Sequence, residues 1–349
     1  MRFMTETLTE RQKLILALVV REYVDTAEPV SSGRLVKNYR LDFSSATVRN
    51  EMAVLTDQEY LQQPYTSAGR IPTREGYRFF VQQLMGPAEL PSHIQQMIRH
   101  QFYQARHDVD DWLSLSASVL ANHTQGASLV TALHMDEARL NHVALLATRG
   151  RQVLLVYVLE GGEVRQQTLV FEEQIPQGRL SGIAENINQD ERVKDLQTLR
   201  VMIEEAEDEV EHEVLSVILE EIEDTDLIST GNVYRDGLTN VLSEPEFSDP
   251  AAAQKTLRLF EDRSVLDDLL SKTIFERDSS GVQIIIGGEG NWEELKNCSV
   301  ILAPYGTEKH SLGAVGVIGP MRMSYSRGVS AVRFVSDLMS ELLTEAVAS

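Results

Sequence analysis

Cysteine is almost missing from this sequence. Cys298 is the single thiol among 349 residues, which excludes an intramolecular disulfide and any cysteine-ligated zinc cluster. No run approaches the ~18 consecutive apolar residues of a membrane span. The N-terminal MRFMTETLTERQ has no apolar stretch ending in a small-residue cleavage site, so a cytoplasmic chain is expected. The signatures HExxH, GxSxG, GxGxxG and GK[ST] are all absent, and with them the commonest hydrolase, metalloprotease and nucleotide-binding chemistries. GGEGN at 287–291 reads as a glycine turn after a strand. His134 and His142 form no recognisable metal motif. Cys298 opens an apolar run and reads as a small buried residue rather than a nucleophile. No enzyme, catalytic residue, metal or cofactor is expected.

Positive charge is also scarce, with 32 Lys+Arg against 53 Asp+Glu and a net charge of −21. Taken as an average, this argues against a nucleic-acid partner. The average hides an asymmetry. Residues 1–86 hold eleven basic and ten acidic side chains, a net +1, and the remainder hold 21 and 43, a net −22. Between Ser31 and Arg78 there are seven basic and five acidic residues. A charge difference of this kind points to a nucleic-acid module on an acidic body. The acidic body repels DNA and weakens non-specific binding.

The pattern changes along the chain. Residues 5–85 read as short helices between polar turns, and Gly86-Pro87-Ala88-Glu89-Leu90-Pro91 reads as a linker. Helical spacing runs from Ile94 to about Ala121, including Met97, Ile98, Phe102, Trp112, Leu113 and Leu120. Strand-like runs follow (SLVTAL, HVALLAT, QVLLVYVLE, QQTLVF), with turns at Gly150 and Gly161-Gly162. Residues 180–228 are acidic and helical. Within them Val210, Val214, Leu215, Val217, Ile218 and Ile222 form an apolar stripe, consistent with a solvated helix or with one that pairs with its copy in another subunit. Strands return at GVQIIIGG, CSVILAPY and GAVGVIGP, and a closing helix spans about Tyr325–Ala346. The fold class expected is a multidomain α+β protein interrupted by an acidic helical insert.

The N-terminal segment carries the functional signal. Thr9 with Gln12 spells a capping box for a first helix running to about Thr26, with Leu14, Ile15, Leu18, Val19 and Val24 as its apolar side. A second helix spans about Ser32–Tyr39. The third opens at Ser44-Ser45. Val48, Met52 and Leu55 face the core, while Ala46, Asn50 and Ala53, flanked by Thr47 and Arg49, face outward. Small outward residues let a helix approach a major groove, where Arg reads guanine and Asn reads adenine. Ser44, Ser45 and the free N–H groups beside them suit a phosphate. Residues 60–73 then form two extended pieces around Thr66, Ser67, Ala68 and Gly69, the layout of a wing. Arg70 follows as a candidate for a minor groove or a phosphate. A helix from Thr73, with Tyr77, Phe80, Val81 and Leu84, follows the wing. The order of these parts is the pattern expected of an N-terminal winged helix-turn-helix that binds double-stranded DNA. Its candidate DNA-binding residues are Ser44, Ser45, Thr47, Arg49, Asn50, Thr66, Ser67, Gly69 and Arg70.

The stretches LTERQKLILALVVREYVDTAEPVSS, SSATVRNEMAVL and TSAGRIPTREGYRFFV resemble the heat-inducible transcription repressor family HrcA. So do LSEPEF (242–247), GVQIIIGGE (281–289), CSVILAPYG (298–306) and GAVGVIGPMRMSYSRGVSAV (313–332). The resemblance implies a homodimer bound to an inverted-repeat operator of chaperone operons of the dnaK and groE type, released on heat shock and modulated by the chaperonin. It also implies three parts: a winged helix-turn-helix at 1–86, a GAF-like α/β body at 90–178 and 230–346, and an inserted dimerisation domain at 179–229. The rival expectation is a ligand-gated transcription factor with an effector in the GAF-like body.

Overall fold

The structure is a computed structural model that describes residues 8–87, 89–105, 108–133, 139–159, 164–190, 192, 195–206, 208–226, 232–275, 281–289, 292–307 and 311–348. The turn expected at Gly161-Gly162, the residue His134 and the end of the GGEGN run lie outside the described residues.

Thr9 caps α1 (Glu10–Thr26) with both halves of the capping box: its hydroxyl accepts from Gln12 N–H at 3.3 Å, and Gln12 Oε1 accepts from Thr9 N–H at 2.9 Å. Ser31 caps α2 (Ser32–Tyr39), and Ser44 caps α3 (Ser45–Asp57) by accepting from Thr47 N–H at 3.1 Å. Strands β1 (Leu61–Gln62) and β2 (Ile71–Pro72) pair antiparallel, with Leu61 opposite Pro72. From the Thr73 cap, α4 (Arg74–Phe79) continues as one π-helical turn over Phe80–Leu84. The helical stretch expected from Ile94 is two helices, α5 (Ser92–Gln104) and α6 (Val109–Thr124). Ala105 leaves the helical region with ψ 143°, and Asp108 recaps the chain by accepting from Asp110 N–H at 3.0 Å. Strand β3 (Ala127–Thr131) is followed by β4 (Leu140–Ala147), β5 (Gln152–Leu159) and β6 (Val164–Val170). Next come α7 (Gln177–Gln189), α8 (Leu196–Glu205), α9 (Glu209–Asp226), β7 (Val233–Asp236), α10 (Leu238–Leu242), α11 (Pro250–Glu261) and α12 (Arg263–Leu270). Strands β8 (Gln283–Ile286), β9 (Cys298–Thr307) and β10 (Ser311–Pro320) lead to α13 (Tyr325–Ala348).

The chain divides into two compact units. The first takes residues 1–132, 232–305 and 314–349, and the second takes 133–231 and 306–313. Within the first, α1, α2 and α3 enclose Ile15, Leu16, Val19, Leu35, Val48 and Leu55. Leu14, expected on the apolar side, is instead 43% exposed, because the buried side of α1 is set by Ile15, Leu16, Leu18, Val19 and Val20. Glu22 is buried between α1 and α2, where it accepts from Arg34 Nε at 2.6 Å, Asn38 Nδ2 at 2.9 Å and the Tyr39 hydroxyl at 3.1 Å. A buried carboxylate is tolerated when its lone pairs are satisfied in this way.

The same unit holds a five-stranded sheet of order β7-β3-β10-β9-β8. Strand β3 runs antiparallel to both β7 and β10, with Thr131 opposite Val233 and Val130 opposite Val315. Alternation of side chains sends Ala127, Leu129, Val300, Leu302 and Ile318 to one face, where they pack with Val241, Leu266 and Leu269 of α10 and α12. The opposite face meets α6 and α13. Ser128 Oγ donates to Ala117 O at 2.7 Å, and a Cβ on Gly328 would lie 2.5 Å from Ile301 Cδ1. Helix α13 therefore packs close to the sheet there, and a side chain at 328 would have to push the tip of Ile301 aside.

The second unit is a three-stranded antiparallel sheet, β4-β5-β6, with α7, α8 and α9. Val143, Leu145, Val153, Leu155, Tyr157 and Leu159 pack against Leu180, Ile183, Ile187, Leu199, Val214, Leu215, Ile218 and Ile222. Two expectations change here. The apolar stripe of α9 is consumed inside its own unit, so it is not the surface that pairs with a copy. The strands at 140–170 group with the acidic helices rather than with the body, because their inward side chains share one core with α7–α9. The compact unit therefore begins near 133 instead of 179.

Candidate nucleic-acid interface

The outward side of α3 is built by its inward side. Val48, Met52 and Leu55 are buried, and Glu51 is held to α1 by Arg11 Nη1 at 3.3 Å and Gln12 Nε2 at 3.1 Å. These contacts fix the rotation of the helix. Ser45, Ala46, Arg49 and Asn50 are left exposed. Among the described residues, neither the Arg49 nor the Asn50 side chain has a hydrogen-bond or ion-pair partner. Arg34, by contrast, is occupied by Glu22 and Glu28, and Arg11 lies over the Phe43 ring at 4.9 Å.

A cleft of about 560 Å³ separates the starts of α2 and α3 from the hairpin. Its walls include Ser31, Ser32, Gly33, Ser45, Arg49, Gln63, Thr66, Ser67, Gly69 and Arg70, with two arginines and no carboxylate among them. Six of the nine expected residues therefore meet at one place: Ser45, Arg49, Thr66, Ser67, Gly69 and Arg70. Ser44, Thr47 and Asn50 lie on α3 or its cap but do not line the cleft. The Ser44 hydroxyl is engaged with Thr47 N–H at 3.1 Å and with the Thr47 hydroxyl at 2.9 Å, which makes it a helix cap. Ser45 Oγ and Ser32 Oγ, 3.0 Å apart, tie the starts of α2 and α3 together.

The hairpin departs from the expected picture. Its apex is Pro64–Ser67, closed by Ala68 N–H donating to Tyr65 O at 2.9 Å. Gly69 and Arg70 sit at the base. Arg70 pairs through its backbone with Val30, N to O at 2.8 and 2.9 Å, and its Nε donates to Thr56 Oγ1 at 2.9 Å. Arg70 is thus a half-buried strut between the hairpin, the α1–α2 connection and α3. Gly69 has a packing reason: a Cβ there would lie 2.3 Å from Val30 O. Thr66 and Ser67 are exposed at the apex.

Some residues of this surface went unrecognised in the sequence. Gln63 Nε2 donates to Thr66 O at 2.9 Å and Ala68 O at 3.0 Å and so shapes the loop. Tyr65 is 62% exposed at the apex. Ser31, Ser32 and Gly33, at the start of α2, also line the cleft. An exposed aromatic between Pro64 and Thr66 was the readable sign. Away from this surface, Cys298 is buried and its thiol is pushed up to about 11 by that burial, as suits a packing residue rather than a nucleophile. Gly287 and Gly288 take φ of 60° and 77° directly after β8, a turn as expected. No helix among the described residues is long and apolar enough to cross a membrane.

Comparison with known proteins adds three findings. A family model described as the HrcA protein C terminal domain matches residues 110–329. The heat-inducible transcription repressor HrcA of Roseiflexus castenholzii is 40% identical over 98% of this chain and 96% of its own length. That of Chloroflexus aurantiacus is 39% identical over 98% and 95%, and that of Thermomicrobium roseum 38% over 98% and 97%. A solved structure, titled as that of a hypothetical protein, aligns over 97% of this chain and 98% of its own with a TM-score of 0.58 and 24% identity, a likeness of fold.

Proposed function

The chain belongs to the HrcA family of heat-inducible transcription repressors, and on that premise we propose that it represses by gripping an inverted-repeat operator as a dimer. It is a regulator and not an enzyme. Residues 8–86 act as a winged helix-turn-helix. The third helix enters the major groove, Arg49 and Asn50 read base edges, and the hairpin apex at Thr66 and Ser67 meets the flanking backbone. The observation that carries this reading is the pair of unpartnered side chains, Arg49 and Asn50, on the outward face of a helix whose orientation is locked from behind. In a folded protein such groups are free for a partner, and the acid-free cleft beside them suits a polyanion.

The body, a five-stranded sheet with helices on both faces, is read as the GAF-like scaffold. The unit at 133–231 is read as the dimerising part. Its sheet is covered on one side only. On the other side Leu146, Val164 and Val170 are 48%, 64% and 60% exposed, and Leu154, Val156 and Val158 are half-buried. This face mixes those apolar side chains with Gln152, Gln166 and Thr168, and its strands bring no Asp, Glu, Lys or Arg to it, a composition that suits a second copy of itself. Two linked readers then gain by effective concentration. Warming that parts the copies removes this gain and releases the operator, which in a cytoplasmic setting fits control of chaperone operons, with the chaperonin as modulator. The test is selection of DNA from a random pool by the intact chain at two salt concentrations. The expected result is a two-fold-symmetric sequence. Absence of any enriched sequence overturns the reading.

A further inference from the structure

Two sequence stretches that the DNA-reading surface leaves unused, LSEPEF at 242–247 and GPMRMSYSRG at 319–328, meet in the fold. Arg322, with its side chain 11% exposed, forms ion pairs with both Glu244 and Glu246, the latter at 2.6 Å from Nε. Its remaining arm, Nη1, donates to Val24 O at 3.2 Å, across 298 positions of sequence. That carbonyl belongs to the last turn of α1, where helix carbonyls lack an intrahelical donor. The last turn of α1 contains no basic residue of its own, although a cation is favoured there by the helix dipole. The body supplies the missing hydrogen-bond donor, with its charge balanced by Glu244 and Glu246.

The contact matters because α1 carries α3. Arg11 and Gln12 hold Glu51 of α3, and the two helices share the buried Ile15, Val19, Val48 and Leu55. Two more contacts join the same regions: Arg78 pairs with Glu289, and the Tyr77 and Tyr325 rings lie 5.8 Å apart. Of these, the Arg322 fork alone spans three acceptors and grips α1 itself. A planar guanidinium bound at three edges fixes direction as well as distance.

We propose that Arg322 is a positioning residue for DNA recognition, which sets the angle of the reading helices on the body by capping the C-terminal end of α1 while Glu244 and Glu246 hold its guanidinium. The proposal rests on the reading of α3 as the DNA-contacting helix. A reader hung at the wrong angle still meets phosphates, so random DNA is bound as before. It cannot seat two half-sites at once, so the operator is lost.

The experiment uses the full chain in three forms: Arg322→Ala, Arg322→Lys, and Arg322→Ala combined with Glu244→Gln and Glu246→Gln. The triple variant removes the carboxylates that the single change leaves unpaired, which keeps folding from deciding the result. Each is titrated, below its melting temperature, against a selected operator and a random duplex of equal length. The expected outcome for Arg322→Ala and the triple variant is an operator affinity lowered at least about tenfold, with random-duplex affinity within about twofold of the unmodified chain. Arg322→Lys, which keeps charge and loses the fork, recovers part of the difference. An operator-to-random ratio in the triple variant equal to that of the unmodified chain overturns the proposal, whatever the change in melting temperature. An unmodified chain with no operator preference in the same titration overturns instead the DNA reading beneath it.

Discussion

Two regions of this molecule leave a surface open, and they do so with opposite chemistry. Helix α3 turns Ser45, Ala46, Arg49 and Asn50 outward, a small, polar and cationic face. The sheet β4-β5-β6 turns Leu146, Val164 and Val170 outward, a face without charge. Burying the first against protein would strand a guanidinium and an amide without partners. Leaving the second in water forfeits apolar burial on the order of 25 cal/mol per Å². The difference teaches which partner each can accept. On the proposed reading, the polar face takes a hydrated polyanion whose edges complement it, and the largely apolar face takes a second copy of itself.

The largest effect that separates the two faces is expected from Val164→Asp combined with Val170→Asp. Charges on the sheet face convert a dimer to a monomer in sedimentation, and operator affinity falls by roughly 10²–10⁴-fold as the effective concentration of the second reader is lost. A dimer that survives both changes breaks the comparison. Next is Ile218→Ala, on the covered side of the same unit. It removes a fully buried side chain and lowers unfolding free energy by about 2–5 kcal/mol, with no change in mass at temperatures where the chain stays folded. A loss of the dimer without a loss of stability would place the seam on the helices instead. Arg49→Ala is smaller: it costs about 1–3 kcal/mol on the operator, less on random DNA, and leaves the oligomer intact. Equal losses on both DNAs reduce Arg49 to a phosphate contact. The smallest concerns Cys298, whose thiol is raised to about 11 by burial. Since the reactive thiolate is suppressed below that value, a thiol reagent at pH 8 leaves the native chain unlabelled and labels it fully in denaturant.

The local structure of the N-terminal segment was readable in the sequence, because caps and short apolar periods are written in adjacent residues. Thr9 with Gln12, Ser31 and Ser44 mark the helix starts that the structure contains. The closing helix and the strand runs were legible for the same reason. What was hidden depends on partners distant in sequence. Arg70 looked like a free hairpin arginine until its bonds to Thr56 and Val30 were in view. Glu22 looked like one more surface acid, yet three donors from α2 enclose it. Helices α11 and α12 and the short strand β7 were unrecognised because no clean stripe or alternation announces them. The apolar stripe of α9 was ambiguous in principle, since an amphipathic helix buries its apolar side equally well against its own sheet or against a copy.

The near-absence of thiols offers the most direct test of where α3 goes. With Cys298 buried, an introduced Ala46→Cys on the outward face of α3 can be offered a thiol-tethered base in each operator half-site. A control Tyr103→Cys uses the α5 position that is 84% exposed. Disulfide capture at Ala46→Cys in both half-sites, with none at Tyr103→Cys, is the predicted result. Equal capture at the two positions, or capture at Tyr103→Cys alone, contradicts a recognition helix at α3.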